Sequence, residues 1–265
     1  MVTFHAHPDD EAISCGGVMR AAADAGHRVV LVVATRGEHG EIADGLLRPG
    51  ETLAERRVAE THAAATILGV ARVEFLDYVD SGMAGTATNH TPGSFASADV
   101  QEAAGRLAAL LREEDAEVLT CYDALGGYGH PDHVQVHRVG MRAGELAGTP
   151  RVYQATTNRD AMRRLLAEAR AAGARESDLP DLDVESMGTP EAELTTRVDV
   201  RPWLAAKRAA MRAHASQIAE ESFFLAVPDE GFALAFGTEW FVHVGVPPGR
   251  LETTLFPERD TEPAA

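Results

Sequence analysis

Short runs rich in apolar residues punctuate the chain, and between them apolar residues recur every three to four positions. Val2 to His5, Arg28 to Ala34 (RVVLVVA), Val73 to Leu76, Glu117 to Cys121 and Val152 to Thr156 are runs of the first kind. Arg28 to Ala34, nearly continuous and rich in β-branched residues, suits a central parallel strand covered by helices above and below. The intervening stretches read as helices: Glu11 to Ala25 stops at Gly26, Thr52 to Leu68 stops at Gly69, and Asp99 to Glu113 leads into the fourth run. Glycine just past a helix takes the left-handed conformation that ends it. Strand and helix alternating in this way predict an α/β fold, a Rossmann-like, mostly parallel sheet flanked by helices in a single domain.

The later chain continues the pattern. A helix runs through Leu146, a charged helix spans Arg159 to Ala172, and a loose acidic stretch, Ser177 to Pro190, reads as an inserted loop. Leu194 to Val198 and Trp240 to Gly245 read as strands. Pro202 to Ile218 reads as a helix, with proline near the first turn, where its missing N–H costs least. Asp77 to Ser97 is polar and lacks a period; an irregular stretch of about twenty residues in a compact domain is usually functional, so it reads as a rim over a site. The domain is expected to span residues 1–257, with Glu258 to Ala265 as a frayed tail.

Two clusters of chemistry-bearing residues follow two of the predicted strands. His5-Ala6-His7-Pro8-Asp9-Asp10-Glu11 follows the first, and Tyr128-Gly129-His130-Pro131-Asp132-His133, with His137 beyond it, follows the fourth. Both would meet at the carboxyl edge of a parallel sheet, where open α/β folds bind ligands. His7 and Asp10, three apart, leave one face of a helix and can converge on one point. Imidazole nitrogen and carboxylate oxygen are ordinary zinc ligands, and a catalytic zinc takes three protein ligands and a water. Acids in a first helical turn also favour the positive end of the helix dipole without any metal; it is the second cluster that carries the metal reading. Asp132 is placed to cap the helix that follows, with Pro131 just before it. His133 and His137, four apart, form a rival ligand pair.

AHPDDE near the amino terminus with GHPDH downstream resembles the LmbE-like (PIG-L) deacetylases, zinc enzymes that remove an acyl group from the nitrogen of an amino sugar. The resemblance extends to Gly37-Glu38-His39-Gly40-Glu41, Arg57, Asp80-Ser81-Gly82-Met83 and the Lys207 to Gln217 segment, and is nearest to the actinobacterial branch of the mycothiol-pathway deacetylase and mycothiol-conjugate amidase. It implies a zinc, with iron(II) as the alternative, held by His7, Asp10 and His133, leaving His137 either as a packed histidine or as a partner to the ligands. Asp9 is then free to take a proton from the activated water and pass it to the leaving amine. His130, as an imidazolium, would stabilise the tetrahedral oxyanion or donate a proton to the nitrogen, with Asp132 orienting it or setting its pKa, and Tyr128, on a loop loosened by Gly126, Gly127 and Gly129, would reach the same oxyanion. Glu41 is a candidate for a substrate hydroxyl, Arg57 for a planar donor, and Asp80 and Met83 for the wall of the sugar pocket.

Charge narrows the partners. Among 265 residues, 24 are basic and 41 acidic, a net of -17, which opposes nucleic acid phosphates and anionic membrane surfaces. It also disfavours a dinuclear metallophosphoesterase, the rival class for His/Asp clusters. The expected partner is a small-molecule amino sugar, with a homo-oligomer left open and three substrates sharing the chemistry: an N-acetylglucosaminide, a mycothiol conjugate or a natural-product glycoside. No apolar run approaches the ~20 residues of a membrane span, and the first strand begins almost at Met1, without a signal-peptide pattern, which predicts the cytoplasm. Cys15 and Cys121 read as buried, reduced thiols, and His214 and His243 as structural histidines. Lys207 is the only lysine.

Overall fold

The apolar runs are strands, packed side by side. The computed structural model describes residues 1–42, 45–171, 173, 175 and 183–256. Its strands are β1 (Val2–His5), β2 (Val30–Thr35), β3 (Arg72–Tyr78), β4 (Val118–Tyr122), β5 (Arg151–Thr156), β6 (Thr196–Asp199) and β7 (Thr238–His243). They form one 7-stranded sheet in the order β3-β2-β1-β4-β5-β7-β6. The five strands from β3 to β5 are parallel, and β7 runs antiparallel to both β5 and β6. Every residue of β1, β2 and β4 is buried.

The helices are α1 (Asp10–Ser14), α2 (Gly16–Asp24), α3 (Leu53–Leu68), α4 (Val100–Glu113), α5 (Gly126–Gly129), α6 (Pro131–Ala147), α7 (Arg159–Ala171), α8 (Leu204–Ala213) and α9 (Asp229–Phe236). Successive strand residues point to opposite faces, and the core divides accordingly. Val2, Phe4, Val32 and Leu119 pack with α4 and α6, whereas Leu31, Val33 and Val118 pack with α2, α3, α8 and α9. Thr52 caps α3 through a reciprocal bond with Glu55, and Asp99 caps α4, the residue types favoured there. No helix among the described residues is long and apolar enough to cross a membrane.

Four expectations are corrected. The single helix over Glu11 to Ala25 is two, broken at Cys15. The buried carboxylate of Glu239 in β7 accepts from the N–H groups of Gly17 (2.7 Å) and Val18 (2.8 Å), giving α2 its own start. A Cβ on Gly17 would lie 2.4 Å from that of Val200, so only glycine fits there. The helix over Pro202 to Ile218 opens with a 3-10 turn, Arg201–Trp203, and α8 ends at Ala213, where the chain turns at His214. Asp77 to Ser97 is not structureless: Val79 bridges to Ser94, 3-10 turns form at Ala87–His90 and Phe95–Ser97, and Phe95 is fully buried. Of the acidic stretch, Val184–Ser186 forms a turn and Asn158 bridges to Thr189. Residues 177–182 of that stretch, Ala172 and the 258–265 tail lie outside the described residues.

Lys207, on α8, is buried with its Nζ 2.5 Å from Glu239 Oε1. The pair ties α8 to β7 and to the start of α2. Removing one partner of a buried ion pair strands the other charge and typically costs about 3–5 kcal/mol. Lys207→Met, which keeps the side-chain volume, should therefore lower the free energy of urea-induced unfolding by about that amount.

Candidate metal centre

The strand order reverses at β1, which pairs with β2 on one side and β4 on the other. The connections leaving the carboxyl ends of β1 and β4 therefore open a crevice between them, the usual ligand position in such sheets. The first cluster enters it from β1 and the second from β4. The backbone N–H of His7 donates to Asp10 Oδ2 at 2.9 Å, closing a tight turn into α1. Asp10 Oδ2 stands 3.5 Å from His7 Nδ1 and 3.3 Å from His133 Nε2. Donors bound tetrahedrally at ~2.0–2.1 Å lie about 3.4 Å apart. His133 Nε2 is buried and makes no hydrogen bond, a state that costs about 1–3 kcal/mol if nothing meets it.

The far side of His7 is equally engaged. Its Nε2 faces Asp132 Oδ2 at 3.1 Å and Asp80 Oδ1 at 3.4 Å. An imidazole with one nitrogen toward a donor cluster and the other on a carboxylate has the orientation typical of metal-ligating histidines. Among the described residues, the groups of three whose ligand atoms all lie within 4.8 Å of one another are His7, His130 and His133, and separately His7, Asp80 and Asp132; Asp10 approaches His7 and His133 as separate pairs. This donor set suits a divalent cation.

Electrostatics tell the same story. Burial alone would lower the His7 pKa, but hydrogen bonds to Asp10, Asp132 and Asp80 outweigh it and hold the pKa well above the ordinary 6.5. Burial works against the charge of Asp10, yet His133 and His7 keep its pKa well below the carboxylate range. Asp9, one residue away, moves the other way: burial raises it to about 6, against the opposing charge of Arg57. The cluster thus asks for positive charge at one place and leaves a carboxylate of higher proton affinity beside it.

The roles expected for the second cluster shift in two ways. Asp132 does not cap α6. The cap is the His130 ring, whose Nδ1 accepts from the Asp132 N–H at 3.1 Å. That bond leaves the ring proton on Nε2. Burial, followed by neighbouring His7 and His133, lowers the His130 pKa to about 4, so at neutral pH the ring is an uncharged N–H donor rather than an imidazolium. The Asp132 carboxylate is occupied by His7 and by Ser81, whose N–H and hydroxyl donate to it at 2.9 and 2.5 Å. It orients His7, not His130.

Tyr128 is half exposed, with its ring 4.9 Å from that of His133 and 6.3 Å from that of His130. Its loop is tied down by Asp123, which accepts from the N–H groups of Leu125 and Gly127 and from the Thr156 hydroxyl. Arg57 is buried, and it donates to the carbonyls of Gly37 (2.7 Å) and Pro8 (2.6 Å), with Asp9 Oδ2 at 3.5 Å. Asp80, also buried, holds His7 and the N–H groups of Gly82 and His39. Met83 is 56% exposed on the rim, and Glu41 is exposed, its carbonyl accepting from Gln217. His137 turns its Nδ1 to the Tyr122 carbonyl at 3.0 Å, away from the cluster.

The crevice therefore gathers His7, Asp9, Asp10, Asp80, Tyr128, His130, Asp132 and His133, places Arg57 behind Asp9, and leaves Glu41 and Met83 at the surface. Two sets of residues escaped the sequence reading. His5 Nδ1 meets the Tyr122 hydroxyl at 2.9 Å, and its Nε2 meets Thr3 Oγ1 at 2.5 Å; Tyr122 in turn packs on the His133 ring. Glu11 pairs with His214. Their position inside or beside the two motifs was the one available signal for His5, Glu11 and Tyr122; His214 reads as a structural histidine in the Lys207 to Gln217 segment, and only its partner stayed hidden.

The family model for PIG-L, GlcNAc-PI de-N-acetylase, matches residues 2–144. A 1D-myo-inositol 2-acetamido-2-deoxy-alpha-D-glucopyranoside deacetylase of Streptomyces avermitilis is 41% identical, over 97% of this chain and 96% of its own. Among solved structures, a deacetylase from the teicoplanin biosynthesis pathway superposes with a TM-score of 0.60 at 21% identity, covering 92% of this chain and 99% of its own. GalB, the 4-carboxy-2-hydroxymuconate hydratase of Pseudomonas putida KT2440, does so with a TM-score of 0.55 at 20% identity, covering 94% and 97%. At such identities the likeness is one of fold, and this fold hosts more than one chemistry.

A cation entering the cluster must displace the proton that the surrounding carboxylates hold on His7. Calorimetric titration with Zn2+ near pH 7 should show about one proton released per ion, and the apparent affinity should fall about tenfold per pH unit on acidification. Buffers of differing ionisation enthalpy give the proton count.

Proposed function

The chain belongs to the PIG-L family of GlcNAc-PI de-N-acetylases, and from that premise we propose that it hydrolyses the N-acetyl group of an N-acetylglucosamine-type amino sugar. The first candidate substrate is an inositol-linked 2-acetamido-2-deoxy-glucopyranoside, the compound for which its Streptomyces relative is named. The observation that carries the reading is the unpartnered, buried His133 Nε2 facing Asp10, with His7 on the far side of that carboxylate and Asp9 alongside.

We assign His7, Asp10 and His133 as the residues that hold zinc, a role iron(II) would also fill with these N and O donors. When bound, the ion supplies a Lewis acid that polarises the amide carbonyl and lowers the pKa of a water toward ~7. The protein does the rest. Asp132 and Asp80 fix the His7 ring through its Nε2. Asp9, with a pKa raised to about 6, is ionised at neutral pH yet basic enough to take the proton of the attacking water. It then returns that proton to the departing sugar nitrogen, so that acetate and free amine leave together. The Nε2–H of His130 and the hydroxyl of Tyr128 are the donors for the oxygen that gains charge as the carbonyl becomes tetrahedral. Tyr128, half exposed above the cluster, and Met83 on the rim would meet the sugar from the solvent side.

Two variants separate these roles. His133→Ala should lose both zinc and turnover. Asp9→Ala should keep zinc at the parental stoichiometry while kcat for amine release falls by about 10²- to 10⁴-fold, the usual contribution of a general base. Amine release from N-acetylglucosaminides that survives exhaustive chelation would overturn the metal-dependent reading.

A further inference from the structure

Asp9 stands in a conformation that L-residues avoid. At φ 94°, ψ -33° it lies at positive φ, outside the left-handed region open to non-glycine residues. It also occupies the N-cap of α1, where aspartate normally bonds a backbone N–H through its side chain; here the carboxylate makes no such bond. The backbone turn therefore points the carboxylate away from the helix it precedes. A conformation of this kind persists only where the surroundings hold it.

The peptide linking Pro8 to Asp9 is held at both edges. Its carbonyl accepts from Arg57 Nη2 at 2.6 Å, and its N–H donates to Glu11 Oε2 at 3.0 Å. Rotation of this peptide plane, the motion that would relax Asp9, breaks both bonds. Glu11 is itself immobilised. It is fully buried, and its other oxygen lies 2.5 Å from Nε2 of His214, also fully buried, just past the end of α8. Had the pair served only to join α1 to α8, one oxygen of Glu11 would suffice. The second oxygen is committed to the one N–H whose direction sets Asp9.

We propose that Glu11, anchored by His214, is a positioning residue that acts with Arg57 to lock the Pro8–Asp9 peptide and so aim the Asp9 carboxylate at the reacting water. This rests on the reading of Asp9 as the base. It reassigns Arg57 from substrate donor to backbone clamp, and His214 from packing residue to the far end of that clamp.

Zinc-loaded protein provides the test. Glu11→Ala should lower kcat by roughly 10- to 100-fold, the scale of a misplaced catalytic group, with KM within about threefold and zinc content as in the parent. Glu11→Gln, which keeps an oxygen for the Asp9 N–H, should recover most of that loss. His214→Phe, which keeps the ring volume but not the nitrogen, should reproduce the kcat defect, and it decides the matter if Glu11→Ala does not fold. Independently of activity, Asp9→Gly should melt about 2–4 °C or more above Asp9→Ala, because glycine relieves the positive φ. Parental kcat in folded, zinc-loaded Glu11→Ala or His214→Phe protein would overturn the proposal, as would an Asp9→Gly variant no more stable than Asp9→Ala. Full turnover in Asp9→Ala would instead overturn the base assignment itself.

Discussion

Two buried carboxylates, Asp80 and Asp132, and the partly buried Asp10 converge on a single imidazole, and this concentration of negative charge in a crevice of low dielectric is the constraint to which the rest of the site answers. Buried like charges are tolerable only when hydrogen-bonded and neutralised. The hydrogen bonds come from the chain: Ser81 and His7 on Asp132, Gly82 and His39 on Asp80, the His7 N–H on Asp10. The neutralising charge does not come from the chain in full, since Arg57, the buried guanidinium at hand, is turned to backbone carbonyls. A proton on His7 or a cation among the donors must make up the difference.

The same electrostatics divide two adjacent residues between two tasks. Asp9 and Asp10 differ by one position in sequence, yet one is pushed toward holding a proton and the other away from it. Titratable neighbours whose environments drive their pKa values apart are the usual mark of an acid/base assignment. The backbone produces the separation. A regular helical turn would place both carboxylates at the mouth of α1, whereas the positive φ at Asp9 sends the two in different directions.

Much of this was legible in the residues. β2 was readable because both of its faces are covered, which leaves an apolar run with almost no alternation, and the His/Asp clusters were readable because core packing does not require them. What stayed hidden depends on partners far along the chain. The break at Cys15 is imposed by Glu239, more than two hundred residues away, and the inward turn at His214 brings its ring to Glu11. Arg57 illustrates the limit most clearly: a planar donor near a site reads as a ligand contact, and only the packed backbone reveals that its two terminal nitrogens meet the carbonyls of Gly37 and Pro8. Asp132 was expected at a helix cap and is instead committed to an imidazole, because the histidine before it took the cap first.

The ion pair that ties α8 to β7 has one further consequence. Because the chain has a single lysine and that ammonium is sealed against Glu239, none of the positive charge on the protein's surface is a lysine amine. Acetylation of a lysine side chain removes its charge. The charge of this acidic molecule is therefore indifferent to lysine acylation, and amine-directed labels or resins would find no lysine on its exterior to grasp.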